Sequence, residues 1–183
     1  MANVDAAFGF VPIRHMSATG SVYTNKYTIS STLGENIFTG DLCVIAAGYV
    51  TPHTATEVQN IGVFGGVSYT ASDGSYVYSE YWPSGTTATD IIAYIYDDPY
   101  IIFKAQSAGS PAQANIGNCC DVEASAGSTT TGQSGFELSG TMAAGTATCK
   151  IIALYDQPEN AFGANAVMEV LINEHLLKDS AGI

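Results

Sequence analysis

Residues 90–106 read Asp-Ile-Ile-Ala-Tyr-Ile-Tyr-Asp-Asp-Pro-Tyr-Ile-Ile-Phe-Lys-Ala-Gln, the densest apolar stretch of the chain. Its β-branched and aromatic side chains favour extended backbone. Asp98-Pro99 interrupts the run with a residue whose side chain starts turns and one whose φ is already set. The expectation is a β-hairpin, residues 91–96 and 100–103, apolar on both faces. The stretch is too short to cross a bilayer, so it fits a strand pair buried inside a barrel or between two sheets.

Sixty positions on, the pattern returns. Gly85-Thr86-Thr87-Ala88-Thr89-Asp90-Ile91-Ile92-Ala93-Tyr94 aligns with Gly145-Thr146-Ala147-Thr148-Cys149-Lys150-Ile151-Ile152-Ala153-Leu154, and each run is soon followed by Asp-x-Pro. The period is too long for a solenoid repeat. Two related β-units, or independent Gly-Thr turns before buried strands, both put these segments in similar core positions. Ile92 and Ile152 are expected in the core.

At 183 residues the chain suits one domain or two small β-units, able to bury roughly two thirds of its unfolded surface without staples. Hydrophobic residues make up 46% and charged ones only 12%, which argues for a folded core. Frequent Gly, Thr and Tyr favour strands. The expected class is all-β, a small β-barrel or β-sandwich with an extended N-terminal arm.

Arg14, Lys26, Lys104, Lys150 and Lys178 are the only cations against 17 acids, for a formal charge of −12. Phosphate affinity needs clustered Lys and Arg, so no nucleic-acid partner is expected. Residues 1–16 lack the basic start and apolar core of a secretory signal, and no membrane partner is expected. Synthesis as a soluble cytoplasmic chain follows as an expectation. Cys43, Cys119, Cys120 and Cys149 show neither Cys-x-x-Cys nor a nearby His at ligand spacing, so no zinc or other cofactor is expected. The adjacent pair Cys119-Cys120 is poorly placed to bond to itself, and buried free thiols are the preferred reading.

Taken in order, residues 1–16 form the arm, because Pro12 disfavours helix before it and Gly9 loosens the chain. Phe8, Phe10 and Ile13 on such a segment need a surface to dock on: the body, a sister subunit or a partner. Residues 17–178 form the compact β domain, and residues 179–183 a mobile tail. Short strands follow, punctuated by Gly40-Asp41 and by Ser72-Asp73-Gly74-Ser75. Gly62, Gly65 and Gly66 lack a phosphate loop's Lys and following helix, so they mark a bulge or a close strand crossing. Trp82, beside Pro83, reads as a half-buried plug or a sugar-stacking platform. Residues 107–111 are the candidate boundary between two β-units and, with residues 126–135, should be exposed. For residues 166–177 strand is preferred over helix.

The carboxylate pairs Asp97/Asp98, Asp121/Glu123 and Glu169/Glu174 are neighbours in sequence, which seldom face one another across a cleft as glycoside hydrolysis requires. Asp73 with Asp97 and Asp98 lacks calcium-loop spacing. His15, His53 and His175 are scattered, and there is no nucleophile elbow. An enzyme is not expected.

Ala7-Phe8-Gly9-Phe10-Val11-Pro12-Ile13-Arg14-His15, Ile37-Phe38-Thr39-Gly40-Asp41, Tyr81-Trp82-Pro83, Tyr96-Asp97-Asp98-Pro99, Gly127-Ser128-Thr129-Thr130-Thr131-Gly132, Phe162-Gly163-Ala164-Asn165-Ala166 and Glu169-Val170-Leu171-Ile172-Asn173-Glu174-His175 together resemble a family. It is the small virion structural proteins of tailed, largely aquatic bacteriophages that decorate or cement the capsid. The resemblance implies a β-rich, oligomeric protein, commonly a homotrimer, assembled in the host cytoplasm and bound outside the major capsid protein shell. It carries no catalytic residues. Phe8, Phe10, Ile13, Arg14 and Trp82 are the candidate partner-binding residues, and a carbohydrate-binding or adhesin module is the alternative.

Overall fold

The computed structural model describes residues 3–54 and 59–178. The expected mobile tail, residues 179–183, lies outside the described residues. The fold is all-β, with antiparallel sheets that form no closed barrel among the described residues. Strands are numbered in chain order. The first sheet has six strands in the order β1 (Val11–His15), β10 (Ile101–Gln106), β14 (Val167–Ile172), β13 (Cys149–Leu154), β11 (Cys119–Glu123) and β12 (Glu137–Ala143). The second runs β2 (Asn25–Tyr27), β9 (Ala88–Tyr96), β6 (Asn60–Ala71), β4 (Leu42–Ala46) and β5 (Tyr49–Pro52), with β7 (Tyr76–Ser79) also paired to β6. A short ribbon joins β3 (Ile37–Phe38) to β8 (Tyr81–Trp82).

Side-chain alternation divides the apolar residues between two cores. In the first sheet Ile101, Phe103, Met168, Val170, Ile172, Cys149, Ile151, Cys120, Val122 and Leu138 point to one face. Leu42 and Val63 of the second sheet join them, so this core lies between the sheets as in a β-sandwich. On its opposite face the second sheet buries Cys43, Ile61, Phe64, Val67, Ile91, Ala93 and Ile95 with Trp82 and Ile37. The first sheet curls: Ser107, just past β10, bridges Leu138 of β12, and the Ala108 amide donates to the Leu138 carbonyl at 2.9 Å.

Residues 91–103 do not form a hairpin. β9 pairs with β2 and β6, whereas β10 pairs with β1 and β14, so the chain crosses from one sheet to the other at Asp97-Asp98-Pro99. Asp98 does start a turn, its Oδ1 accepting from the Tyr100 amide at 2.8 Å. Asp97 is held instead by the second sheet: its carboxylate accepts from Asn25 Nδ2 at 2.9 Å and from the Tyr27 hydroxyl at 2.6 Å. That anchorage keeps the end of β9 with β2 while β10 leaves. The chain thus changes sheets at this crossover; residues 107–111, expected to be exposed, are so only in part, since Ser107 and Pro111 are buried and Gly109 packs on Gly140.

The aligned segments do enter strands, β9 and β13, but one in each sheet. Ile91 and Ile151 are the buried members, 7% and 0% exposed. Ile92 and Ile152 point to the other face and are only half-buried, one position out of phase with the core.

Residues 3–15 are not a free arm. Asn3 Nδ2 donates to the Ala161 and Ala164 carbonyls, Gln106 bonds the Ala6 amide and the Val4 carbonyl, and β1 is an edge strand on β10. Gly9, at φ +73°, passes so close to Ser134 and the Gly40 carbonyl that a Cβ would lie 2.4 Å from Ser134 Cβ. The 126–135 loop is exposed only in part, since Ser134 is buried behind Gly9.

Two expectations hold, and a third holds in part. Ser72-Asp73-Gly74-Ser75 turns β6 into β7, with Asp73 accepting from the Ser75 amide and hydroxyl. Register shifts at Phe64/Val67 place a bulge at Gly65-Gly66. The strand expected over residues 166–177 holds for Val167–Ile172, where β14 lies centrally in its sheet with Met168, Val170 and Ile172 inward, but not for its end, since Leu176–Lys178 form a 3-10 turn.

Candidate functional site

The second sheet's face opposite Trp82 is only half covered. At one end Leu42, Val63 and Tyr96, in register across β4, β6 and β9, lie beneath the first sheet. At the other end Tyr94 of β9 and Tyr76 and Tyr78 of β7 lie beyond that cover. Tyr76 and Tyr78 are 71% and 62% exposed, while Val77 between them packs inward. The Tyr78 and Tyr94 rings stand 6.0 Å apart, and the Tyr94 hydroxyl meets Ser68 Oγ at 3.1 Å. Lys26 pairs with Tyr94 on the far side.

Where this tyrosine face emerges from beneath β1, a cleft of about 610 Å³ opens. Phe8 forms one wall, Tyr78 and Tyr96 the other, and Glu80 and Gln133 supply polar groups. Gly65 makes room for it. A Cβ there would stand 2.8 Å from the Tyr96 ring, and one on Gly66 would stand 2.9 Å from the Tyr78 hydroxyl. The loop wall is strapped down: the Thr39 amide is shared by the Glu80 and Gly132 carbonyls, and the Ser134 amide donates to the Thr39 carbonyl. Among the lining residues Glu80 is the one charged side chain, so the cleft suits neutral rather than anionic groups.

A second depression, about 570 Å³, is lined by Asp41 and His53. Asp41 belongs to the turn between β3 and β4. Its Oδ2 accepts from the Phe38 amide at 2.7 Å, and Oδ1 is buried without a hydrogen bond among the described residues. Burial pushes its carboxyl up to about 6, with the Phe38 amide and the Ser134 hydroxyl opposing. His53 Nδ1 lies 2.8 Å from Asn60 Oδ1.

Of the five residues named from sequence, Phe8 alone lines the larger cleft without being buried in a core. Phe10 and Trp82 are 1% and 0% exposed, sealed in the two cores, so neither presents a surface. Trp82 is neither a half-buried plug nor a stacking platform: Tyr69 meets it edge-on at 5.5 Å. Ile13 is half-buried at the bulge of β1, and Arg14 is paired with Glu169 at 2.6 Å. Lys104 reaches across the same outer surface to the rings of Phe8 and Tyr155.

The acids serve local structure. Asp97 and Asp98 hold the crossover, and Asp98 Oδ2 lies 3.3 Å from His15 Nε2. Asp121 and Glu174, not paired by sequence reasoning, meet through the Thr148 hydroxyl at 3.4 and 3.3 Å. Among the described residues no group of three or more His, Cys, Asp or Glu could hold a metal ion. The tyrosine face had a signal in the sequence, namely Tyr76-Val77-Tyr78 and Tyr94-Ile95-Tyr96. Period-two spacing puts each pair on one face, but it does not tell which face stays open. Comparisons with family models, curated proteins and solved structures find no match to this chain.

Proposed function

We propose that the protein is a non-enzymatic virion component, a decoration or cement protein that binds the outer surface of the major capsid shell and stabilises it. The supporting observation is the open tyrosine face, led by Tyr76 and Tyr78 on a strand paired only with β6 among the described residues. Tyrosine brings large contact area with a polar tip and is enriched at protein interfaces. Few charges on that face lower the desolvation cost of docking. The net charge of −12 suits a position outside the shell, away from packaged DNA. Purified protein should co-sediment saturably with capsid shells stripped of accessory proteins. Failure to bind at any concentration would refute the reading. Self-association as a homotrimer belongs to the same proposal. Light scattering over a concentration series, with imaging of decorated shells, tests it, and a monomer in both settings would sink it.

The cleft supports a second reading, a module that binds neutral carbohydrate, since Phe8, Tyr78 and Tyr96 offer aromatic groups beside Glu80 and Gln133. A glycan array separates the two. Specific glycan binding without capsid binding would favour the second.

A further inference from the structure

The four cysteines are free thiols in this structure, yet they are not equivalent. Cys43 belongs to the core beneath Trp82, whereas Cys120 and Cys149 belong to the core between the sheets. Within the first sheet β11 and β13 run antiparallel, with Cys119 opposite Lys150 and Cys120 directly opposite Cys149. Directly opposed residues of an antiparallel pair send their side chains to the same face, with Cα atoms about 4.5–5.5 Å apart. A disulfide needs about 4.4–6.8 Å. Cys119, one residue earlier on β11, alternates to the other face and is excluded.

We propose that Cys120 and Cys149 are a latent cross-strand disulfide, closed by a low-molecular-weight disulfide oxidant. A second observation bears on access. A small cleft of about 120 Å³, lined by Cys119, Cys120, Thr141 and Gly145, opens beside Cys120, whereas Cys149 is fully buried. Cys120 therefore reacts first. Its thiol gives up a proton, and the thiolate attacks one sulfur of the oxidant RS–SR. One RS⁻ leaves and takes a proton as RSH. Cys149, deprotonated in turn, attacks the Cys120 sulfur of the mixed disulfide and expels the second RS⁻ as RSH. Two cysteine thiols are oxidised to one disulfide, and the oxidant is reduced to two thiols. Burial pushes the Cys120 thiol up to about 12 and the Cys149 thiol well above its ordinary value, so exchange in the folded protein is slow and follows opening of the strand ends.

The bond would tie residue 120 to residue 149 across the Gly- and Ser-rich loop 124–135. Shortening the freedom of that loop in the unfolded chain stabilises the oxidised form.

The test is to incubate the folded, full-length protein with trans-4,5-dihydroxy-1,2-dithiane, block the remaining thiols, count them and map the peptides. The four free thiols should fall to two, with the peptides carrying Cys120 and Cys149 joined. The melting temperature should rise by on the order of 5–10 °C and return on reduction. Cys43→Ala and Cys119→Ala should still lose two thiols, and Cys120→Ala and Cys149→Ala should lose none. An unchanged count in the wild-type protein would overturn the proposal. So would linkage through Cys43 or Cys119, or a lowered melting temperature, which would mean that the strands do not accommodate the bond.

Discussion

Phe10 meets Phe103 edge-on, with ring centroids 6.5 Å apart and planes at 82°, inside the core between the sheets. The N-terminal segment is thereby part of the fold and not an appendage. Phe10→Ala should lower unfolding stability by about 3–5 kcal/mol, the usual cost of emptying a buried aromatic site. Removing residues 2–14 strips β1 from β10 as well, and should abolish the cooperative transition. A denaturant melt read by circular dichroism checks both. An intact body after truncation would show that the Phe10 site is dispensable.

Ile151 and Ile152 differ in the face of β13 they occupy, and their aspartate variants should separate. Ile151→Asp puts an unpaired carboxylate in the core at a cost of several kcal/mol and should leave no soluble folded protein. Ile152→Asp, on the half-buried face, should remain soluble with a cooperative melt. Ile91→Asp and Ile92→Asp should divide in the same way on β9. Soluble expression and melting curves of the four variants provide the measurement, and equal behaviour within each pair would contradict the register.

Asp41 makes stability depend on pH. Its folded carboxyl sits at about 6, above the ordinary 3.8, so the folded state holds a proton that the unfolded chain has released. This contribution is fully present below about pH 4 and is lost as pH rises through 6. Asp41→Asn keeps an acceptor for the Phe38 amide and removes the titration. Its advantage over wild type should grow from pH 4 to 6 and then level off, at on the order of 2–3 kcal/mol. His175 carries the opposite slope. Burial holds it down to about 4, so its contribution is lost as pH falls from about 6.5 to 4. It is common to both proteins and cancels in the difference. Urea titrations at several pH values decide the matter, and a constant difference would remove Asp41 from the account.

Tyr76→Ser and Tyr78→Ser should reduce occupancy on capsid shells several-fold while shifting stability by less than about 1 kcal/mol for the more exposed Tyr76. Co-sedimentation at matched protein concentration, with melting curves as control, checks this. Full occupancy of the double variant would place the docking surface elsewhere on the molecule.

Much of the local structure was legible before any tertiary contact was known. Ser72-Asp73-Gly74-Ser75, Gly40-Asp41 and the glycine pair at 65–66 each specify a turn or bulge through their own backbone preferences, which do not depend on distant residues. The strand character of residues 88–96, 101–106 and 167–172 follows from β-branched and aromatic content in the same way. Pairing is different. Asp97-Asp98-Pro99 reads identically whether the next strand folds back on β9 or leaves for another sheet. It is Asn25 and Tyr27, about 70 residues earlier, that hold Asp97 in the second sheet while β1 and β14 recruit β10 to the first. Burial is decided at the same level. Phe8 and Phe10 have the same side chain two positions apart, and Tyr69 and Tyr78 lie on neighbouring strands. Which of them is sealed in a core and which lines an open cleft depends on what the rest of the chain lays over it, because alternation sorts side chains into two faces without telling which face will be covered.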